Sequence, residues 1–254
     1  MANSLSNMLV MVELELRRLK HDRTEIYTRI VQPILWLVIY GPIMSSVRGI
    51  PTGGIPYTDY ITPGILVQST TFTSILYGLT MVWESESGIL KKLLVAPVSR
   101  YATVIGRSMA GGVRATFQAL IIFPVALIIG VKFVHNIAYV IAALPIVFFV
   151  SGGFAATSII VASFMKTRER FMGIGSAITF PLFFASSALY PIQMMPPILR
   201  EFALFNPMSY AVDVIRALII TGDLTSLPID IAAITLFDTI MFVAASLSFK
   251  RIIK

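Results

Sequence analysis

The run that decides the fold is "IAYVIAALPIVFFVSGGFAATSIIVASFM", Ile137 to Met165, which contains no Asp, Glu, Lys or Arg. About 20 consecutive apolar residues suffice for a helix to cross a hydrocarbon core of about 30 Å. The run is therefore read as a membrane-spanning helix. The rest of the chain agrees with it. Its 254 residues are 56% hydrophobic and only 13% charged, with a mean hydropathy of +0.83, whereas soluble domains carry about a quarter charged residues. A transmembrane barrel would show alternating segments of about ten residues, and these runs do not alternate. The class is all-α polytopic membrane protein.

Working outward, five more apolar runs are read as spans, giving six transmembrane helices. The additional runs are Ile26 to Val47, Tyr60 to Trp83, Ala110 to Val131, Phe171 to Tyr190 and Ile229 to Phe249. No internal repeat, low-complexity tract or second soluble domain interrupts them. Short cytoplasmic loops retain Lys and Arg, and with six spans fifteen of the twenty basic residues fall on one side and four on the other. Both termini are accordingly expected in the cytoplasm, in the cell (plasma or cytoplasmic) membrane. The net charge of +7 then reflects topology and lipid headgroups rather than nucleic acid. Residues 1 to 29 are charged and amphipathic and lack the short apolar core of a cleavable signal, so the first span is expected to act as its own insertion signal.

Three segments outside the spans are organised enough to carry function. At the N-terminus, Leu5, Leu9, Val12, Leu16 and Leu19 recur at helical spacing while Glu13, Arg17 and Lys20 occupy another face. Such a helix, over residues 1–25 with Arg17, Arg18 and Lys20 near anionic headgroups, lies in the membrane interface. Between the second and third spans stands "WESESGILKKLLVAPVSR", Trp83 to Arg100. Ile89, Leu90, Leu93 and Leu94 make an apolar face, Glu84 and Glu86 stand at the start, and Lys91 and Lys92 come later, in the order a helix dipole favours. Pro97 stops the helix. From the residues alone this short helix, about 84–97, is either a tether on the bilayer or a contact for a partner.

The third segment is the long outer connector, about 191–222, broken at Pro191, Pro196, Pro197 and Pro207. It holds two amphipathic stretches, Pro197 to Phe205 and Met208 to Ile220, each too short to cross. Irregular backbone at membrane depth survives only where protein or a cavity surrounds it, so the segment is read as a re-entrant hairpin, with a cap on the outer leaflet as the alternative. Asp213 and Arg216, three residues apart, suit a local ion pair.

Charge inside the spans is scarce. Asp238 falls near the middle of the last span, and Arg114 lies a turn inside the third with Arg107, Gly111 and Gln118 along the same side. Intramembrane ionisable residues mark substrate routes or pair internally, so both are candidates, as is a pair between them. Ser69, Thr70, Thr71, Thr73 and Ser74 of the second span are read as helix–helix glue, and Pro33, Pro42, Pro181 and Pro191 as bend points. The chain lacks G-x-x-x-x-G-K-[ST] and so has no phosphate-cradling loop for ATP. It has no cysteine, and its two histidines, His21 and His135, fall on opposite sides of the membrane. No catalytic residue or metal ligand is expected.

Three stretches together carry a family resemblance: "YTDYITPGIL", then "ESGILKKLLVAPVSRYATVIGR", then "LYPIQMMPPILREFALFNPMSYAVDVIR". They resemble the permease subunits of type-2 ABC exporters, in the branch similar to the daunorubicin and multidrug-resistance permeases. The likeness runs from about residue 10 to the C-terminus and is most specific at Gly88 to Arg100 and at Asn206 to Tyr210. One departure is Ser186-Ser187, where relatives often carry Ser-Gly ahead of the Tyr-Pro turn, and it bears on the bend there. The resemblance implies an interface helix, then a six-span transmembrane domain over 26–254 with a re-entrant outer pair turning at Pro191, Pro196, Asn206 and Pro207. It implies two permease copies, as a homodimer, working with two separate ATPase subunits that bind ATP and Mg. The 84–97 helix would then be the cytoplasmic coupling helix, with Glu84, Glu86, Gly88, Lys91, Lys92, Leu93, Pro97 and Arg100 as the coupling set. The function implied is outward movement of an amphipathic, lipid-like or drug-like substrate. Export of glycolipid or polysaccharide, and nucleotide-independent secondary transport, stand as alternatives.

Overall fold

The computed structural model describes residues 10–17, 23–46, 50–87, 100–165 and 167–249. Among the described residues it is helical throughout, with loops but no strand. Residues 10–17 form α1. Helix α2 (Arg23–Leu35) passes through a π turn at Trp36–Tyr40 into α3 (Gly41–Ser45). The break assigned to Pro33 and Pro42 is thus this wide turn between them. Then follow α4 (Tyr57–Glu86), α5 (Arg100–Ile129), α6 (Ile137–Phe164) and α7 (Arg168–Phe184). A single 3-10 turn at Ile192–Met194 leads to α8 (Pro197–Phe205), α9 (Pro207–Arg216) with a π turn to Thr221, and α10 (Leu227–Ser248).

The uncharged run that opened the sequence reading is the central helix. Helix α6 packs against α4, α5 and α10, and small residues, Ser151, Gly152, Gly153, Ala155 and Ala156, are buried along it. Their size brings the neighbouring backbones close, the usual means of helix association in lipid. The larger apolar core, including Ile61, Ile65, Ile122, Val147, Phe154 and Phe183, fills one end and the middle of the bundle. A smaller one, around Met81, Val104, Ile159, Phe171, Ala245 and Phe249, fills the other end. The core is set by helix faces: α10, for example, buries Ile234 and Ala245 while Leu236, Ile240, Val243 and Leu247 stay exposed for lipid.

Among the described residues, four helices are long and apolar enough to cross a membrane: Tyr57–Glu86, Tyr101–Ile129, Ile137–Phe164 and Leu227–Ser248. The bent pair Pro197–Phe205 with Pro207–Thr221, at 76°, makes a fifth if it counts as one span. The remaining two expected spans are helical but short. At about 1.5 Å per residue, the 17 residues of α7 rise about 26 Å. The helix ends at Phe184 rather than Tyr190 because the chain from 185 turns sharply and its carbonyls are taken by other elements. The third span also differs from its expected bounds. Its helix begins at Arg100, ten residues before Ala110, which carries Arg107 into regular helix.

The turn after α7 is tied to several elements. Asn206 caps α9 by accepting from the Met208 N–H at 2.9 Å, and its amide nitrogen donates to the carbonyls of Leu182 and Ala185 at 2.7 and 2.8 Å. The Tyr210 hydroxyl donates back to Leu204 at 2.5 Å, closing α9 on α8. Across the bundle, Tyr57 and Tyr60 of α4 donate to the carbonyls of Leu189 and Ser187 at 2.9 and 3.3 Å. A Cβ on Gly64 would overlap the Ala188 backbone, so glycine is what lets α4 lie against this turn. Nothing lies within 4 Å of a Cβ built on Gly173 of α7. We therefore expect Gly64→Ala to lower stability by about 1–3 kcal/mol through overpacking. Gly173→Ala should be neutral or stabilising by up to about 1 kcal/mol, because alanine is the better helix former. Thermal unfolding of the two variants in the same detergent checks the contrast.

Candidate functional site

Two arginines of α5 organise the end of the bundle next to the 88–99 segment. Arg107 and Arg114 are seven residues apart, two turns on one helix face. Arg107 donates to Glu84 in the last turn of α4 at 2.5 Å, and both side chains are less than a tenth exposed. Arg114 donates through Nε to Glu15 of α1 at 2.6 Å, with its guanidinium 5.4 Å from the centre of the Tyr77 ring. One turn further along, Gln118 accepts from Thr73 of α4. A polar stripe of α5 thus holds both α4 and the N-terminal helix.

The coupling set is only partly within the described residues. Gly88, Lys91, Lys92, Leu93 and Pro97 lie outside them, and Arg100 is the first residue of α5. Glu84 and Glu86 do not begin a separate short helix: α4 runs on without a break through both and is capped at Ser87. The hydroxyl of Ser87 donates to the Trp83 carbonyl at 2.8 Å, helping to close that end. Continuity of α4 puts the two acids on different sides. Glu84 is buried on Arg107, while Glu86 accepts from Arg168, the first residue of α7, at 2.7 Å. Arg168 also lies 6.0 Å from the centre of the Trp83 ring. The ends of α4, α5 and α7 are therefore joined by ion pairs beside the 88–99 segment.

The N-terminal helix meets the bundle by an unexpected face. Glu15 is 2% exposed, whereas Val10, Leu14 and Leu16 are exposed, so Leu16 does not seat the helix on the protein. Arg17 pairs in the open with Glu13 at 2.7 Å, and Arg18 and Lys20 lie outside the described residues. Sequence reasoning passed over Glu15; the available signal was an acid two residues from Glu13, which helical geometry turns away from the solvated face.

The Arg114–Asp238 pair is not formed. Arg114 is committed to Glu15, and Asp238 lies on α10 against Gly153 of α6, where a Cβ would collide with its carboxylate. Its Oδ1 is buried with no hydrogen-bond partner. The expected Asp213–Arg216 pair is formed, at 2.7 Å, and extends further. Ser187 donates to Asp213 at 2.7 Å, Arg216 donates to the Ser187 carbonyl at 2.5 Å, and the guanidinium sits 4.1 Å from the Tyr60 ring centre. The Ser186-Ser187 departure thus adds a hydroxyl that binds Asp213 without needing a left-handed backbone. Pro191 and Pro196 precede the 3-10 turn and α8, and Pro207 is the first residue of α9. The Ser/Thr cluster of α4 mostly bonds its own helix, Ser69 and Thr70 to Leu66 and Ser74 to Thr70. Among the five, Thr73 alone has a described side-chain bond across helices, to Gln118, while the buried hydroxyl of Thr71 has no described partner.

Residues 6–220 match the ABC-2 type transporter family, and the chain belongs to that family of membrane transport permeases. A putative transport permease, ycf38, of Cyanophora paradoxa is 26% identical over 216 residues, 84% of this chain and 74% of the relative. The ycf38 protein of Porphyra purpurea is 30% identical over 190 residues, 74% of this chain and 65% of its own length. The probable doxorubicin resistance ABC transporter permease protein DrrC of Mycobacterium tuberculosis is 23% identical over 214 residues, 83% and 76% of the two chains. Permeases of this family generally work with an ATPase subunit.

The two ion pairs at the basic end differ in burial, and so in worth. Removing one partner of a buried pair costs about 3–5 kcal/mol because a charge is left uncompensated, while exposed pairs contribute about 0–1 kcal/mol. Glu84→Leu alone should therefore lower stability far more than Glu86→Gln. The double variant Glu84→Leu with Arg107→Met should recover most of the loss, and thermal unfolding of the four proteins in one detergent measures this.

Proposed function

We propose that this chain is the membrane-spanning subunit of an ATP-driven exporter of an amphipathic, lipid-like or drug-like substrate. In this reading it spans the cell membrane six times, with α2 and α3 as the first span and α7 as the fifth, and both termini in the cytoplasm. Residues 1–25 lie in the cytoplasmic interface, with Arg17, Arg18 and Lys20 toward headgroups and Val10, Leu14 and Leu16 toward acyl chains. The transmembrane domain occupies 26–254. Two copies associate as a homodimer with two copies of a separate ATPase subunit, which binds ATP and Mg. The chain itself performs no catalysis.

The observation that carries the reading is the pairing of Glu84 with Arg107 and Glu86 with Arg168. These bonds lie at the ends of α4, α5 and α7 and join those three helices. A force on Gly88, Lys91, Lys92, Leu93 or Pro97 would reach α4, α5 and α7 together, rather than being lost in a loose loop. Nucleotide can drive such a change only by making the ATPase bind one arrangement of the permease better than the other.

Co-expression with the cognate ATPase subunit tests this. Wild-type chain should retain the ATPase through purification, and Gly88→Asp or Leu93→Glu should release it while the permease itself stays folded and membrane-inserted. Transport by reconstituted chain without nucleotide would sink the proposal and favour a secondary transporter.

A further inference from the structure

Between α6 and α10 lies a groove of about 420 Å³, lined by Ile146, Phe149, Ile231, Ile234, Phe242 and Asp238. Its volume is in the range of small-molecule sites, which are typically about 300–1,000 Å³ and mostly apolar with a few placed polar groups. The single acid in this groove is held in position. Asp238 is 7% exposed, seated on Gly153 where any side chain would displace it, and its Oδ1 has no partner. The hydroxyls beside it are already used: Thr235 donates to Ile231 and Thr239 to Thr235, along their own helix. The cation the sequence offered as its partner, Arg114, is bound to Glu15.

A buried carboxyl with an unmet oxygen calls for an explanation, and in a membrane span the default one is functional. Its missing complement is a donor, and the groove around it is oily. Depth narrows the class of ligand. Asp238 is the twelfth residue of the 22-residue α10, about 15 Å from either end at 1.5 Å per residue. Lipid headgroups sit outside the hydrocarbon core, so the amine of a lipid headgroup does not reach this level with its chains in place. A free amphiphile can bring an amine there.

We propose that the α6–α10 groove is a binding site for an amine-bearing amphiphile, with Asp238 receiving the amine and Ile146, Phe149 and Phe242 covering the apolar body. The site deepens the export reading by naming a substrate class, and rests on that reading only for the consequence of binding. Binding itself is measured on the chain alone, so its failure and a failure of ATPase coupling are separate results.

The probe is a twelve-carbon alkylamine carrying a diazirine in its chain, photo-crosslinked to the full chain in phosphatidylcholine nanodiscs and mapped by mass spectrometry. We expect saturable labelling of 146–149 and 231–242, displaced by dodecylamine at concentrations at least about tenfold below those needed with dodecanol, as suits a buried charge-assisted contact. Asp238→Asn should bring the two competitors level. Thr235→Trp, a change at an exposed position that fills the groove, should abolish labelling by any ligand there, and Glu201→Gln on α8 should change nothing. Equal competition by alcohol and amine in the wild type would overturn the proposal. So would undiminished amine preference in Asp238→Asn, labelling that survives Thr235→Trp, or a dimer whose second copy closes the groove and excludes the probe.

Discussion

A charge buried in an apolar bundle must be met by its opposite, and α5 imposes that demand twice, at Arg107 and Arg114. Neither arginine is solvated, so the acids that satisfy them cannot be left to chance. Glu84 fixes where α4 ends relative to α5, and Glu15 fixes where the N-terminal helix lies. Much of the geometry at this end of the protein follows from those two pairings. Helices α4 and α5 cannot slide past one another by a turn without stranding a charge, and α1 cannot roll so as to bury Leu16 without exposing Arg114.

The opposite end is held by a different chemistry. There the donors are amides and hydroxyls, from Asn206, Tyr57, Tyr60 and Tyr210, and the acceptors are main-chain carbonyls around the turn after α7. One ion pair, Asp213 with Arg216, sits within this network and is joined to it through Ser187. The bundle is thus fastened by paired charges at one end and by backbone hydrogen bonds at the other, with the small residues of α6 between them. Movement transmitted along α4 would connect two fastenings that respond to different disturbances, ionic at one end and neutral at the other.

The helical class was legible because long uncharged runs leave no alternative in lipid. The two short helices α8 and α9 were legible from local signals: Pro197 and Pro207 mark their starts, and Asn206 is a natural cap. What could not be read was pairing across distance. Arg107, Arg114 and Gln118 were seen to share a side of one helix, but nothing in a single sequence says that Glu84 and Glu15 arrive there from α4 and α1. Glu84 was placed at a helix start for a local reason: the acid–lysine order suits the dipole of a short helix, whereas Glu84 and Glu86 end a long one against its dipole and are met there by Arg107 and Arg168. Asp238 shows the opposite case. Its depth was legible, and its supposed partner was wrong because Arg114 had a nearer acid on a helix whose orientation the apolar stripe had misjudged.

Asn206 joins α7 to α9 through atoms every residue possesses. Its amide reads two carbonyls, at Leu182 and Ala185, and is indifferent to the side chains those residues carry. A joint of this kind separates mechanical continuity from chemical identity. The residues around the turn can be exchanged, and the surface they present remade, while the corner itself keeps its angle. The surface at this corner can therefore change in sequence while the bend beneath it is kept.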